Sequence, residues 1–512
     1  MDFEEREKQR RRQMIKVIIA EIGMTISVIA IAVVATLAAM GFFVTGNGKI
    51  EQSGLIQIHS MPTGATVEID GNTVFSRTNL SRSLTLGEHS LKLSRDGYDS
   101  WQKTIKMSSG MLLRLYYPRL FLLERKPEVA LRLEKGLEFY LPSNDQAYIL
   151  YAPADSFKWN LINIRDDDPK VTQLDLSTIL PGVVEDKFLG EIDSLRWSNN
   201  SDNVLAKVTC EQKSEWILID LKDTKKSLNL TQTFGLDFTQ VEMIDDSATQ
   251  LFALENQQLR RINTGDQSIS RVLLNNVVSF ANSKSNVIYV MVQTVEDKTE
   301  KVKTIGVYRD GEKGGTTLAT VANDKAVAVA LTRYYDEDYV AYAVENELNV
   351  YYGALPNYRD DAQNTDFSGL KTLIDKQKLK TAPSSFALSP EGEYIVASRG
   401  QQFTVVDLEM GELIEYEAMT STLSWLDEAM MTAVVDDSLW VWDFDYINQR
   451  KLVQYIDEAQ IEEKTTDIEP ITTISKTKLA NYSAVIAENN RWLYYLTETK
   501  SGLVLMRERI RD

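Results

Sequence analysis

Residues 17–44 read VIIAEIGMTISVIAIAVVATLAAMGFFV, 28 residues with one charge, Glu21, and no proline. A helix rises about 1.5 Å per residue, so this run exceeds the roughly 30 Å of bilayer hydrocarbon and can span it with some tilt. A cleaved signal peptide has a shorter apolar core followed by small residues at a cleavage site. Here Ala35, Ala38 and Ala39 lie inside the run, which favours an uncleaved anchor. Glu21 lies about a turn inside one end, where a carboxyl can reach the headgroups. Ser27, Ala35 and Ala39 fall at spacings that would let two such helices approach closely.

The flanks set the expected orientation. Residues 1–16 carry Arg6, Lys8, Arg10, Arg11, Arg12 and Lys16, whereas only Lys49 follows closely on the other side. Basic residues near a span stay cytoplasmic. The reading is a cytoplasmic tail (1–16), a transmembrane helix (17–44) and a long extracytoplasmic body, in a plasma membrane protein with one pass. The chain has net charge −18 and its part beyond residue 44 about −19, which argues against a nucleic-acid partner because phosphate backbones need a basic footprint. Cys210 is the only cysteine, so no intrachain disulfide supports the fold; within VLAKVTC it reads as core.

After a polar linker (45–53), short alternating segments separated by Asp-Gly turns predict a small antiparallel β-sandwich over 54–124. The order Gly54-x-Ile56, then Met61-Pro62-Thr63-Gly64-Ala65-x-Val67-x-Ile69-Asp70-Gly71, then Leu84, Leu86-Gly87-x-His89, Gly97-Tyr98 and Trp101 resembles a PEGA domain. Thr63 stands where that family has Glu, and Thr78-Asn79 where Thr-Pro is usual. The resemblance implies an envelope module for adhesion or assembly rather than a catalyst, with His89 in strand packing.

Residues 127–512 repeat one pattern with a period of about 35 to 50 residues: an apolar strand, a turn, a strongly apolar strand, a turn, an alternating strand and a polar hairpin. That is the length of a four-stranded propeller blade. Blades are expected to begin near Leu137, Asp193, Gln240, Val277, Ala326, Pro383, Ser421 and Lys478, with residues 128–133 closing the ring beside LVLMRERI; seven blades is the alternative. The unit at 383–417 resembles WD-repeat and Tol-type propellers through Ser389-Pro390-Glu391-Gly392-x-Tyr394-Ile395-Val396 and Val406-Asp407-Leu408. The fold class expected for the whole chain is therefore all-β: a membrane helix, a PEGA-like sandwich, and a seven- or eight-bladed propeller. Two insertions, residues 357–380 (ending in a short helix) and 456–474, read as surface connectors or contact loops.

Candidate chemistry is sparse. Both histidines, His59 and His89, fall in the small domain, so the propeller has no base for a Ser-His or Cys-His arrangement. No phosphate loop, HExxH or CxxC is present, and no catalytic, cofactor or metal residue is assigned. Asp166-Asp167-Asp168 and Asp336-Glu337-Asp338 read as solvated turns, since consecutive acids lack the alternating spacing of a calcium loop. Trp159, Trp197, Trp216, Trp425, Trp440, Trp442 and Trp492, and one member of each pair Tyr334-Tyr335, Tyr351-Tyr352 and Tyr494-Tyr495, are expected in the core.

The expected function is non-catalytic: an anchored envelope protein whose propeller binds an envelope protein or cell-wall polysaccharide, with the sandwich as spacer or adhesion unit. Alternatives are a carboxylate-dependent glycan hydrolase and a scaffold that forms homo-oligomers through its membrane helix.

Overall fold

A computed structural model of the chain describes residues 3–39, 42–44, 50–133, 136–244, 248–294, 301–309, 311–356, 369–421, 423–436, 438–453, 478–479, 484–499 and 502–512. The chain forms two compact units, Met1–Leu123 and Glu124–Asp512.

The first unit opens with α1, Phe3–Ala39. Its stretch Met14–Thr36 is long and apolar enough to cross a membrane, and none of it is buried against the protein. Thr25, Ser27 and Thr36 return their hydroxyls to carbonyls four residues back, so α1 has no need of outside partners for those groups. The helix stops earlier than the apolar run. Phe42–Val44 forms β1, which pairs with the start of β2, Ile50–Ile58. Aromatic and β-branched residues favour the pleated strand once a partner is available. The expected span to Val44 and linker to Ser53 are thus corrected: the described strands β1 and β2 make a hairpin there.

β2 continues as the centre of one sheet, antiparallel to β5 (Leu80–Thr85) and parallel to β8 (Leu112–Leu115). A second sheet runs β4 (Asn72–Thr73), β3 (Thr66–Ile69), β6 (Gly87–Ser94), β7 (Trp101–Met107). The inward residues of both sheets are Ile56, Ile58, Val67, Leu91, Leu93, Trp101 and Leu115, all nearly sealed from solvent. Alternation along each strand selects this face. The Pro62–Ala65 turn is held from one residue: the Thr78 hydroxyl accepts from the Ala65 N–H at 2.9 Å and meets Ser60 Oγ at 2.6 Å, and Ser60 donates to the Pro62 carbonyl.

The second unit is a β-propeller whose described residues form seven four-stranded antiparallel sheets, at 137–175, 191–229, 238–269, 277–322, 327–378, 386–417 and 424–453, and a five-stranded eighth built from both ends of the unit. Here β9, Pro127–Arg132, pairs antiparallel with Gly502–Arg509, so the first strand of the unit completes the eighth blade. Pairing the edge strand of the last blade with the start of the unit removes an open edge and joins the chain's distant segments. Apolar clusters fill the seams between successive blades: Trp159, Phe188 and Ile217 between the first two, Tyr140, Ile149, Tyr494 and Leu505 between eighth and first.

Three local expectations are corrected. Residues 357–368 lie outside the described residues, but the end of that insertion is a strand, Leu370–Lys378, rather than a helix. It completes the fifth blade by pairing with Glu347–Gly353, and ladder pairing outweighs the weak helical pattern. The insertion 456–474 lies wholly outside the described residues. Tyr494 and Tyr495 are both buried, because the strand Trp492–Thr499 lies inside its blade and has both faces covered. Cys210 is half-buried at a strand end, where its Sγ packs against Gly182 rather than in the core.

Candidate functional site

In an up-and-down blade the first and third turns leave from the same end of the sheet. On this face, the turns of blades five, six and seven come together around half-buried carboxyls. The Ser389–Glu393 turn of blade six takes its shape from Ser389, whose Oγ accepts from the Tyr394 N–H at 2.9 Å. Gly392 has φ +83°, and a Cβ there would lie 2.2 Å from Thr332 Oγ1 of blade five; only glycine permits that approach. Thr332 donates to the Gly392 carbonyl at 3.2 Å.

Glu428, from the first turn of blade seven, enters this turn from the other side. Its carboxylate accepts from Ser389 Oγ, from the Glu391 N–H and, at 3.0 Å, from the Glu393 N–H. Three donors converge on one carboxylate, so all its oxygens are engaged. Burial nevertheless pushes its pKa up to about 7, with the three hydrogen bonds opposing. Glu393 accepts from the Tyr394 hydroxyl at 3.0 Å. Burial pushes its pKa up to about 8; the Tyr394 bond opposes, and Asp407, Glu428 and Glu409 add like charge. Burial thus holds both carboxyls well above the ordinary carboxylate range.

Tyr334 donates to Glu409 at 3.3 Å, and Tyr335 stands edge-on to it at 4.7 Å. Tyr335 is 64% exposed, and it is the only exposed aromatic side chain among the propeller's described residues. Trp159, Trp197, Trp216, Trp442 and Trp492 are buried, whereas Trp425 and Trp440, expected in the core, are half-buried, the first stacked on Tyr394 and the second beneath Lys451.

The acidic turns have partners inside the protein. Asp167 accepts from Trp492 Nε1 at 2.8 Å. Asp338 is held by Arg333 at 3.5 Å and Asn286 at 3.3 Å, and burial raises its pKa. Among the described residues, no group of three or more His, Cys, Asp or Glu is arranged to hold a metal ion. His59 stacks on Tyr116 at 4.2 Å, and His89 is buried at a turn of the sandwich.

Sequence reasoning found the Ser389–Gly392 turn but missed Glu428, which lies 35 residues beyond Glu393 in the equivalent turn of the next blade. It also missed the hairpin Val183–Val184 with Lys187–Phe188, whose turn residues Glu185 and Asp186 both take positive φ.

No curated protein matches the sequence. Solved structures similar to this chain include the C-terminal WD40 domain of Sif2 (10% identity, 75% of this chain and 98% of that one, TM-score 0.40). Another belongs to the yeast heterotrimeric Nup82-Nup159-Nup116 nucleoporin complex (8% identity, 62% and 97%, TM-score 0.41). A third is an oligogalacturonate lyase in complex with manganese (11% identity, 74% and 99%, TM-score 0.38). The PEGA family model matches residues 53–118, and this segment of the chain is a PEGA domain.

Proposed function

We propose that this protein is a non-catalytic, membrane-anchored component of the cell envelope, whose propeller presents a surface to another protein. The observation that carries the reading is the apolar helix Met14–Thr36, unburied along its length and followed, three residues after α1 ends, by the strand hairpin that enters the PEGA domain. A helix of that length and composition leaves a 23-residue, mostly apolar surface in water unless a bilayer covers it. The basic tail before it supports a cytoplasmic N-terminus, with the PEGA domain and propeller outside.

A protein partner is favoured over polysaccharide by the use of the aromatics. Sugar rings bind on exposed aromatic platforms, and Tyr335 stands alone in that respect among the described residues of the propeller. The unit Glu124–Asp512 carries 63 Asp and Glu against 41 Lys and Arg, which supports a basic or neutral partner surface. The carboxyl chemistry favours structure over hydrolysis: three donors from a single turn already engage both oxygens of Glu428.

The experiment is capture by the full chain in detergent, with envelope extract and purified cell wall offered separately. Saturable retention of a protein supports the reading, retention of wall alone favours the polysaccharide form, and retention of neither counts against both. Protease added to intact cells tests the topology.

A further inference from the structure

His89 sits where β6 leaves its first turn, and both its ring nitrogens face oxygen. Nδ1 lies 2.7 Å from Asp70 Oδ2, and Nε2 lies 2.9 Å from the Thr85 carbonyl. A carbonyl and an ionised carboxylate are acceptors only, so both contacts are hydrogen bonds only when the ring carries a proton on each nitrogen. A neutral imidazole satisfies one of them and turns a lone pair toward the other oxygen.

The residues joined are turn residues. Asp70 has φ 52° and is followed by Gly71 at φ 76°, and its other oxygen accepts from the Ser90 N–H at 2.9 Å. Thr85 ends β5 opposite Ser53, at the end of the sandwich where β2 arrives from the hairpin with β1. Gly87 at φ 124° makes the tight turn between β5 and β6. One ring thus ties the β3–β4 turn to the β5–β6 turn, beside the strand that links the domain to α1.

We propose that this histidine is a pH-sensitive catch on the end of the PEGA domain nearest the apolar helix, closed while the ring holds two protons and loosened when it holds one. The inference does not depend on where the helix resides or on what the propeller binds. Other charged groups on the strands around the ring are Glu68 on β3, Arg82 on β5, Glu88 and Lys92 on β6, and Lys103 and Lys106 on β7, with Lys106 opposite Glu88 and Lys92 opposite Glu68. Asp70 is the one in hydrogen-bond contact with His89.

The sign follows from the surroundings. Burial draws the His89 pKa down, but the bonds to Asp70 and Thr85 outweigh it and leave the value raised above the ordinary 6.5. Asp70 is lowered, chiefly by its bond to His89. A raised histidine stabilises fully below its unfolded value and loses that contribution as pH climbs through its folded value. A lowered aspartate acts above its own unfolded value of 3.8 and fails as pH falls. The catch is therefore closed between roughly pH 4 and 6.5 and opens toward alkaline pH.

The test uses the full chain in detergent micelles with ring-labelled histidine. The chain has two histidines, so the variant His59→Gln leaves one signal to follow. The expected result is two ring N–H signals for His89 at pH 6 and a titration midpoint above 6.5 that Asp70→Asn lowers. Amide exchange over 84–90, corrected for its chemical rate, should rise severalfold from pH 6 to pH 8 and lose that dependence in His89→Gln. A midpoint at or below 6.5, a single ring N–H at pH 6, or exchange indifferent to pH would overturn the proposal. Should His89→Gln not fold, the wild-type titration decides alone.

Discussion

The guanidinium carbon of Arg507 lies 4.3 Å from the centre of the Trp492 ring, on the neighbouring strand of the eighth blade. The same side chain reaches Glu128 at 3.2 Å and donates to the Asp167 carbonyl of blade one. Glu128 belongs to β9, so one buried cation fastens the closing strand, the last hairpin and the first blade. Removing it takes away the Glu128 ion pair, the bond to the Asp167 carbonyl and the stack on Trp492 together. Arg507→Ala is expected to cost about 3–5 kcal/mol, and Arg507→Lys, which loses the planar stack and fork, less. Thermal unfolding in detergent measures both, and amide exchange along β9 should rise first. An unchanged melting temperature in Arg507→Ala would mean that backbone pairing alone closes the ring.

Glu393 of the blade-six turn and Glu428, which enters that turn from blade seven, should respond to substitution in opposite directions. Glu393 holds its proton up to about pH 8 when folded, against 4.5 as the ordinary value. The unfolded chain releases that proton earlier, so stability falls as pH rises from 4.5 to about 8 and stays low beyond. Glu393→Gln keeps the neutral shape and removes the penalty. At about 1.4 kcal/mol for each pH unit over which the titration is displaced, the gain above pH 8 amounts to a few kcal/mol. Glu428→Ala strips the acceptor from Ser389, Glu391 and Glu393 and should cost about 2–4 kcal/mol. Denaturant unfolding at pH 5 and pH 9 separates the two; a stabilised Glu428→Ala would refute the staple.

Much of the propeller was legible because its strands repeat at a blade's spacing: the sheets at 191–229 and 277–322 begin within two residues of Asp193 and at Val277. The PEGA domain was legible for a different reason, since Pro62, Gly64, Gly71, Gly87 and Gly97 mark its turns in order. The end of the helix was not. Hydropathy reads Phe42–Val44 as more of the same apolar run, and only the partner strand Ile50–Gln52 turns it into β1. The site resisted for a related reason. Glu428 looks like any surface acid, and its role arises from a turn contributed by the preceding blade, a juxtaposition that no local pattern encodes. Tyr494 and Tyr495 show the same limit: alternation assigns one of them outward, whereas the neighbours on both sides of the blade bury both.

Gly306 marks a contact that should not tolerate a methyl group. A Cβ there would lie 2.4 Å from the buried Tyr289 hydroxyl and 2.8 Å from the Thr316 carbonyl, and Gly315 meets the same ring. Gly306→Ala is expected to destabilise by about 1–3 kcal/mol through overpacking. Tyr289→Phe removes only the hydroxyl, so combining it with Gly306→Ala should recover part of the loss. Melting temperatures of the two single variants and the double variant make the cycle. Strict additivity would show that the ring carbon Cζ, at 2.5 Å and kept by phenylalanine, or the Thr316 carbonyl sets the limit rather than the hydroxyl.

The helix makes the sharpest demand. If Met14–Thr36 sits in a bilayer, its middle must be free of charge, and Val28 and Ile31 are both exposed there. A carboxylate near the centre of a spanning helix costs about 2.5–3.5 kcal/mol in insertion. Val28→Asp alone should leave much of the protein in membranes, because the remaining apolar surface is large. Val28→Asp with Ile31→Asp should move it into the alkaline-carbonate extract, whereas Val28→Leu with Ile31→Leu should behave as wild type. The propeller serves as the control: Arg507→Ala lowers stability without touching the helix, so it should stay with the membrane at temperatures where the chain is folded. If the double aspartate variant remains in carbonate-washed membranes, α1 is not what holds the protein there, and the anchored arrangement falls.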